Sequence, residues 1–186
     1  MRETERLALT PVRADHATVL EELHRDPGIA RWYAWTPEEA AAFARKQDRG
    51  WREHGIGKWL AHDRISRALI GRGGCSIADV DGERRIEVGW AVREALWGRG
   101  YATEIGRAGI EFARVELGAA EVVAFTEVHN VASRAVMEKL GMTYVRELHR
   151  PGLVAGSDVV QEDAPFALYS TGILGPMRVT TSWPRP

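Results

Sequence analysis

The chain has 186 residues, 45% of them hydrophobic and 27% charged, with 25 basic side chains against 26 acidic ones. That length suits one domain with a sizeable core. The near-zero net charge argues against bulk nucleic-acid binding, which needs many cations to neutralise phosphates. No apolar run is long enough for a transmembrane helix, and MRETERLALT lacks the apolar core of a signal peptide, so cytoplasmic residence is expected. A single cysteine, Cys75, excludes an internal disulfide framework. The six histidines show no metal-ligand spacing, and no metal is expected. Only Lys46, Lys58 and Lys139 are lysines; the other basic residues are arginine, an excess read mainly as codon bias.

In chain order, Leu7–Val12 alternates and reads as a first strand. Asp15 is a candidate cap for a short helix to about His24, broken by Arg25-Asp26-Pro27-Gly28. Thr36-Pro37-Glu38-Glu39 carries an N-cap, a first-turn proline and a capping box, opening a helix to about Glu53. Lys58–Asp63, Ala68–Ala78 and Arg84–Val92 read as three strands with short connections, the last two joined at Asp81-Gly82. Gly71, Gly73 and Gly74 suggest a bulge; no Gly-Lys-Ser/Thr follows to make a phosphate loop. A helix from Tyr101 to about Leu117 ends at Gly118. Glu121–Glu127 is an apolar run suited to a strand covered on both faces. Asn130–Leu140 is a helix closed by Gly141 at C′. Met142–Arg146 and Phe166–Ser170 are strands around an excursion from Pro151 to Pro165. Residues 1–171 read as one domain and 172–186 as a peripheral tail. The strand–helix–strand unit should be a right-handed crossover that makes Arg84–Val92 and Glu121–Glu127 parallel.

Two segments carry chemistry. Trp97-Gly98-Arg99-Gly100-Tyr101-Ala102-Thr103 joins a strand to a helix. Glycines admit close backbone approach, and the first helical amides lack internal partners, which suits a pyrophosphate. Thirty residues on, Asn130 caps a helix whose first turn holds Ser133. Each feature alone also suits an ordinary turn or cap.

Together, WGRGYATE and NVASRAVMEKLGM resemble the two acetyl-coenzyme A motifs of the GNAT superfamily of N-acetyltransferases. Glu87-Val88-Gly89-Trp90 is similar to the matching strand of the RimJ/RimL branch, which acetylates ribosomal-protein N-termini. The resemblance implies an α+β, three-layer fold: a mixed, mostly antiparallel sheet with a central parallel β-α-β unit and helices on both faces. It implies acetyl-CoA as cosubstrate. Trp97, Gly98, Arg99, Gly100, Tyr101, Ala102 and Thr103 would hold the pyrophosphate, with Arg99 and Arg134 adding charge. Main chain at Trp90, Ala91 and Val92 would bond the pantetheine arm, which requires the parallel strands to splay. Asn130 and Ser133 would contact the thioester end.

The resemblance further implies acetyl transfer to a primary amine by direct attack in a ternary complex. Glu87 is the favoured general base, through water, with Glu127 second and His129 third. An ordinary salt bridge, with Arg85 among the available partners, competes with that role for Glu87. Many relatives place a tyrosine where this chain has Met137, which cannot protonate a thiolate; Ser133 is the nearest hydroxyl. Trp32, Tyr33 and Trp35 are candidate acceptor walls, and Asp158, Glu162 and Asp163 could attract a cationic amine. The acceptor stays open between a protein N-terminus, an amino acid, a polyamine and an aminoglycoside. A homodimer is expected from relatives. A Rossmann domain fits poorly, because Thr103 stands at the third glycine position. A non-catalytic acetyl-CoA sensor on the same fold is the alternative reading.

Overall fold

The computed structural model describes residues 1–33, 35–157 and 159–172, with the Tyr33 side chain outside that description. Eight strands form one sheet: β1 (Arg2–Glu3), β2 (Leu7–Pro11), β3 (Lys58–Asp63), β4 (Leu69–Val80), β5 (Glu83–Val92), β6 (Val123–Glu127), β7 (Thr143–Gly152) and β8 (Gln161–Ser170). Their order is β1-β2-β3-β4-β5-β6-β8-β7. Every neighbouring pair is antiparallel except β5 and β6. Helices α1 (Ala17–His24), α2 (Pro27–Tyr33) and α3 (Pro37–His54) precede β3; α4 (Tyr101–Val115) and α5 (Val131–Lys139) flank β6.

The core is divided by the sheet. Ile105, Ala108 and Phe112 of α4 pack with Leu7, Leu9, Trp59 and Val92. Met137 of α5 joins Ile110, Ile86, Val88 and Ala124 on the same side. On the other side, Leu20 of α1 and Ala40 and Ala44 of α3 pack with Val12 and Leu60, while Leu23 and Ile29 cover Ala91. Alternation along β5 therefore sends Ile86, Val88 and Val92 toward α4 and α5, and Ala91 toward α1 and α2. The three-layer α+β architecture is the one expected from the sequence.

Local signals explain most of the elements. Thr36 accepts from the Glu39 amide and Glu39 reaches back to the Thr36 amide, closing the expected capping box. Asp81 and Gly82 both have positive φ, 53° and 81°, as a tight β4–β5 hairpin requires. Asn130 caps α5 by accepting from the Ser133 amide.

Three expectations need correction. Asp15 does not cap α1; it sits in a single 3₁₀ turn, and α1 starts at Ala17. The break after His24 falls where expected, but Asp26-Pro27 also starts α2, a helix where a loop was expected. Asp26 Oδ1 accepts from the Gly28 amide at 3.1 Å, and Pro27 takes the first helical position, where a missing N–H costs nothing. Trp32 and Tyr33 are consequently helical. The excursion from Pro151 to Pro165 is shorter than expected, since β7 and β8 pair as far as Gly152 and Gln161. Pro151 lies on an edge strand, and the Pro165 carbonyl accepts from Val128 at 3.1 Å, so neither proline breaks the ladder. The 173–186 part of the expected tail and Asp158 lie outside the described residues.

Cys75 is fully buried, and its Sγ donates to the Gly109 carbonyl at 3.0 Å. Burial pushes the thiol up to about 12, with Lys58 opposing and Glu87 adding to the rise. A thiol reagent at about pH 8 should leave Cys75 unmodified in the native protein and label it fully in denaturant. Rapid labelling of the native protein would contradict this burial.

Candidate acetyl-transfer site

Strands β5 and β6 meet at one register pair, Glu87 with Val123. Beyond it they separate, while β5 stays paired to β4 as far as Val92 and β6 stays paired to β8 as far as Glu127. Each strand is thus left with one unpaired backbone edge. A cleft of about 910 Å³ opens between them. Unpaired backbone groups want partners, so this gap favours an extended, amide-bearing ligand. The splay the resemblance requires is present in the backbone.

The Trp97–Thr103 loop closes one end. Gly98 and Gly100 take left-handed φ of 74° and 83°, conformations that cost other residues about 1–2 kcal/mol. Gly100 precedes α4 and offers no side-chain cap, so the first amides of the helix remain open. Trp97 Nε1 donates to the Val92 carbonyl at 2.7 Å, which ties the loop to the end of β5. That carbonyl is therefore already engaged. The Ala91 carbonyl points at β4, so Trp90 and the Val92 N–H carry the free edge, and Ala91 does not contribute its backbone as expected.

Sequence reasoning missed the buttress of this loop. Arg6 Nη1 donates to the Arg99 carbonyl at 2.8 Å, and its guanidinium lies 4.4 Å from the Tyr101 ring centre. Glu104, in the first turn of α4, accepts from Thr4 Oγ1 at 2.6 Å, the Arg6 amide at 2.8 Å and Arg6 Nε at 2.8 Å. Nothing in the spacing of Arg6 and Glu104 signals this contact.

At the other end, Glu87 and Lys58 form a largely buried ion pair. Lys58 Nζ donates to Glu87 Oε2 at 2.6 Å and to the Gly74 carbonyl at 2.7 Å. Ser76 Oγ also donates to Glu87 Oε2, at 3.0 Å. Glu87 Oε1 points toward Gly89, where a Cβ would lie only 2.5 Å from it. Arg85 pairs with Glu121 and Glu83 instead. The salt bridge anticipated for Glu87 is thus real, with lysine rather than arginine as its partner.

Of the expected cofactor residues, Trp90, Ala91, Val92, Trp97, Gly98, Gly100, Tyr101, Ala102, Thr103, Asn130 and Ser133 all line the cleft. Arg99 and Arg134 are not among the described lining residues. Arg99 is exposed, whereas Arg134 donates to Tyr169 Oη and the Val128 carbonyl at 3.2 and 3.0 Å. Glu127 is not among them either; its carboxylate is buried and accepts from Thr126 Oγ1 at 3.3 Å. Trp32 lines the cleft beside His129, whose Nδ1 is buried without a hydrogen-bond partner among the described residues. Trp35 packs away from the lining, stacked on His24 at 3.4 Å and set against Phe43 and Arg72. Glu162 and Asp163 are exposed on β8 outside the cleft lining, as a solvated acidic segment would be. Among the described residues, no group of three His, Cys, Asp or Glu is placed to hold a metal.

Residues 6–143 match the acetyltransferase (GNAT) domain family. The chain belongs to this family. The sequence is similar to YkkB of Bacillus subtilis, 25% identical over 138 residues that cover 73% of this chain and 80% of that one. In structure it resembles a GNAT-family acetyltransferase of Bordetella pertussis, with TM-score 0.74, 21% identity and coverage of 92% and 98% of the two chains. It also resembles RimL, a ribosomal L7/L12 α-N-protein acetyltransferase solved with coenzyme A, with TM-score 0.66, 15% identity and coverage of 90% and 94%. The protein is an N-acetyltransferase.

Burial favours the neutral form of Glu104, but the hydrogen bonds from Thr4 and Arg6 outweigh it and hold the carboxyl below its ordinary 4.5. A lowered folded value stabilises the native state above pH 4.5 and loses that contribution as pH falls through the folded value. The melting-temperature gap between wild type and Glu104→Gln should therefore be full near neutrality and shrink as pH drops below 4.5. A gap that stays constant into acid would contradict the role given to the Arg6–Glu104 contact.

Proposed function

We propose that the protein moves an acetyl group from acetyl-CoA to a primary amine by direct attack in a ternary complex. The observation that carries this reading is the parting of β5 from β6 beyond Glu87. It aligns a free backbone edge, an open helix start and a carboxylate along one cleft. Bound there, acetyl-CoA supplies an electrophilic thioester.

The protein's residues divide the remaining work. The edge at Trp90 and the Val92 N–H orients the pantetheine arm by main-chain hydrogen bonds. Open amides at Gly100, Ala102 and Thr103 hold the pyrophosphate, aided by the helix dipole. Orientation of this kind supplies a large part of such rate enhancements. The attacking amine must be neutral, although amines range from pKa about 8 to about 10.4. Glu87 Oε1 faces the site and takes the proton through a water. Glu127, buried behind Thr126, is set aside for that step. Ser133, which lines the cleft one turn from Met137, protonates the departing thiolate.

Residues 1–171 act as the catalytic unit in this reading. Following the RimL-like branch, the acceptor is an α-amine of a protein N-terminus, with Trp32 at its entrance. Cytoplasmic residence and a homodimer complete the reading.

Thiol release from acetyl-CoA should rise well above hydrolysis with at least one member of a panel of N-terminal peptides, amino acids, polyamines and aminoglycosides. With that acceptor, Glu87→Gln should lower kcat by about 10²-fold and alter its pH profile. Ser133→Ala should lower kcat while acetyl-CoA affinity holds. Unchanged kcat at every pH would remove Glu87 from the mechanism, and full activity would reduce Ser133 to a helix-start residue.

A further inference from the structure

The lysine beside Glu87 has more donors than its ion pair uses. An ammonium carries three N–H groups. In Lys58, one goes to Glu87 Oε2 and one to the Gly74 carbonyl. Among the described residues, the third has no acceptor. The side chain is only 6% exposed, yet Lys58 lines the cleft, so the third N–H is left for whatever occupies the cleft.

The space next to this ammonium is kept clear by Gly89. A Cβ on Gly89 would stand 3.4 Å from Lys58 Nζ and 2.5 Å from Glu87 Oε1. Gly89 is also the second residue of β5 beyond the register pair with β6. The carbonyl end of an arm running along that free edge therefore reaches a spot bordered by Gly89, the third N–H of Lys58 and the free oxygen of Glu87.

The main chain of Lys58 is fixed as well. Its amide donates to Gln47 Oε1 at 2.9 Å, and its carbonyl accepts from Trp51 Nε1 at 3.0 Å. A charged donor held in place before reaction, in a site of low exposure, is the arrangement that best stabilises a developing negative charge. A lysine suits the position because its charge is compact; a guanidinium is a broad planar fork.

Resting on the acetyl-transfer reading, we propose that Lys58 is a catalytic residue: its third N–H bonds to the thioester carbonyl oxygen and stabilises the oxyanion. The amine nitrogen forms a bond to the carbonyl carbon, and the π pair moves to oxygen beside Lys58. The pair then returns, the C–S bond breaks, and the sulfur leaves with its electrons. The amine proton goes to Glu87 through water, the sulfur is protonated in turn, and Lys58 keeps all its protons. The same oxyanion forms when water replaces the amine.

The test uses the full chain as wild type, Lys58→Met, Glu87→Gln and the double variant. Three quantities are read: acetyl-CoA Kd by calorimetry, acetyl-CoA hydrolysis without acceptor, and the infrared carbonyl band of bound ¹³C-acetyl-CoA. Lys58→Met should slow hydrolysis by about 10²–10³-fold with little change in Kd. The loss should persist on the Glu87→Gln background, where a lysine that merely positions Glu87 has nothing left to do. The bound carbonyl band should move to higher frequency when Lys58 is removed. No further loss in the double variant together with an unmoved band would overturn the proposal and leave Lys58 a positioning residue. Should Lys58→Met not fold, Lys58→Gln carries the same comparison with the same opposing outcomes. A wild type that shifts the band but releases no thiol with any amine would support the contact and refute the transfer reading.

Discussion

One constraint organises this molecule: two parallel strands that meet at Glu87 and Val123 and then part. Buried backbone N–H and C=O groups need partners, so a sheet does not open along a central seam without something to fill it. The surrounding structure holds the seam open. Strands β4 and β8 grip the far edges of β5 and β6 to their ends. Helices α4 and α5 pack on one face through Ile110 and Met137, and α1 and α2 cover the other through Leu23 and Ile29. The open edge is therefore already formed by packing on both faces, an arrangement that lowers the ordering cost of binding.

The electrostatics follow from that geometry. The pyrophosphate end is neutral in its backbone donors and takes its order from Arg6 and Glu104, residues nearly 100 positions apart in sequence. The reacting end holds a compact charge pair, Lys58 and Glu87, at the point where the strands separate. Burying two charges is expensive and rarely improves stability over an apolar pair. Such a pair is better understood by what it does for a ligand than by what it does for the fold. The near-zero total charge of the chain says nothing of either arrangement.

Much of this was legible in the sequence. Capping at Thr36 and Asn130, the Asp81-Gly82 hairpin and the apolar run of β6 are local signals, and local physics produced the elements they announce. The crossover rule gave the parallel pair, and the motif resemblance gave the family. What stayed hidden depends on tertiary contact. Asp26-Pro27 does break α1, but that it also opens α2, with Asp26 accepting from the Gly28 amide, shows only in the structure. β7 is the edge strand and largely exposed, and β8 starts with the exposed Gln161, Glu162 and Asp163, so no clean alternation announces the full length of their hairpin. Trp32 and Trp35 are near-neighbours in sequence, yet one lines the cleft and the other stacks on His24. Lys58 stood out in the sequence only as one of three lysines; its pairing with Glu87 depends on β3 and β5 both flanking β4.

Hydrogen–deuterium exchange with and without acetyl-CoA tests the central claim most directly. If the seam beyond Glu87 receives the pantetheine arm, exchange should slow selectively at the Trp90 and Val92 amides and from Gly100 to Thr103, with the β7–β8 hairpin unchanged. Binding that leaves both segments exchanging as in the free protein would contradict the account.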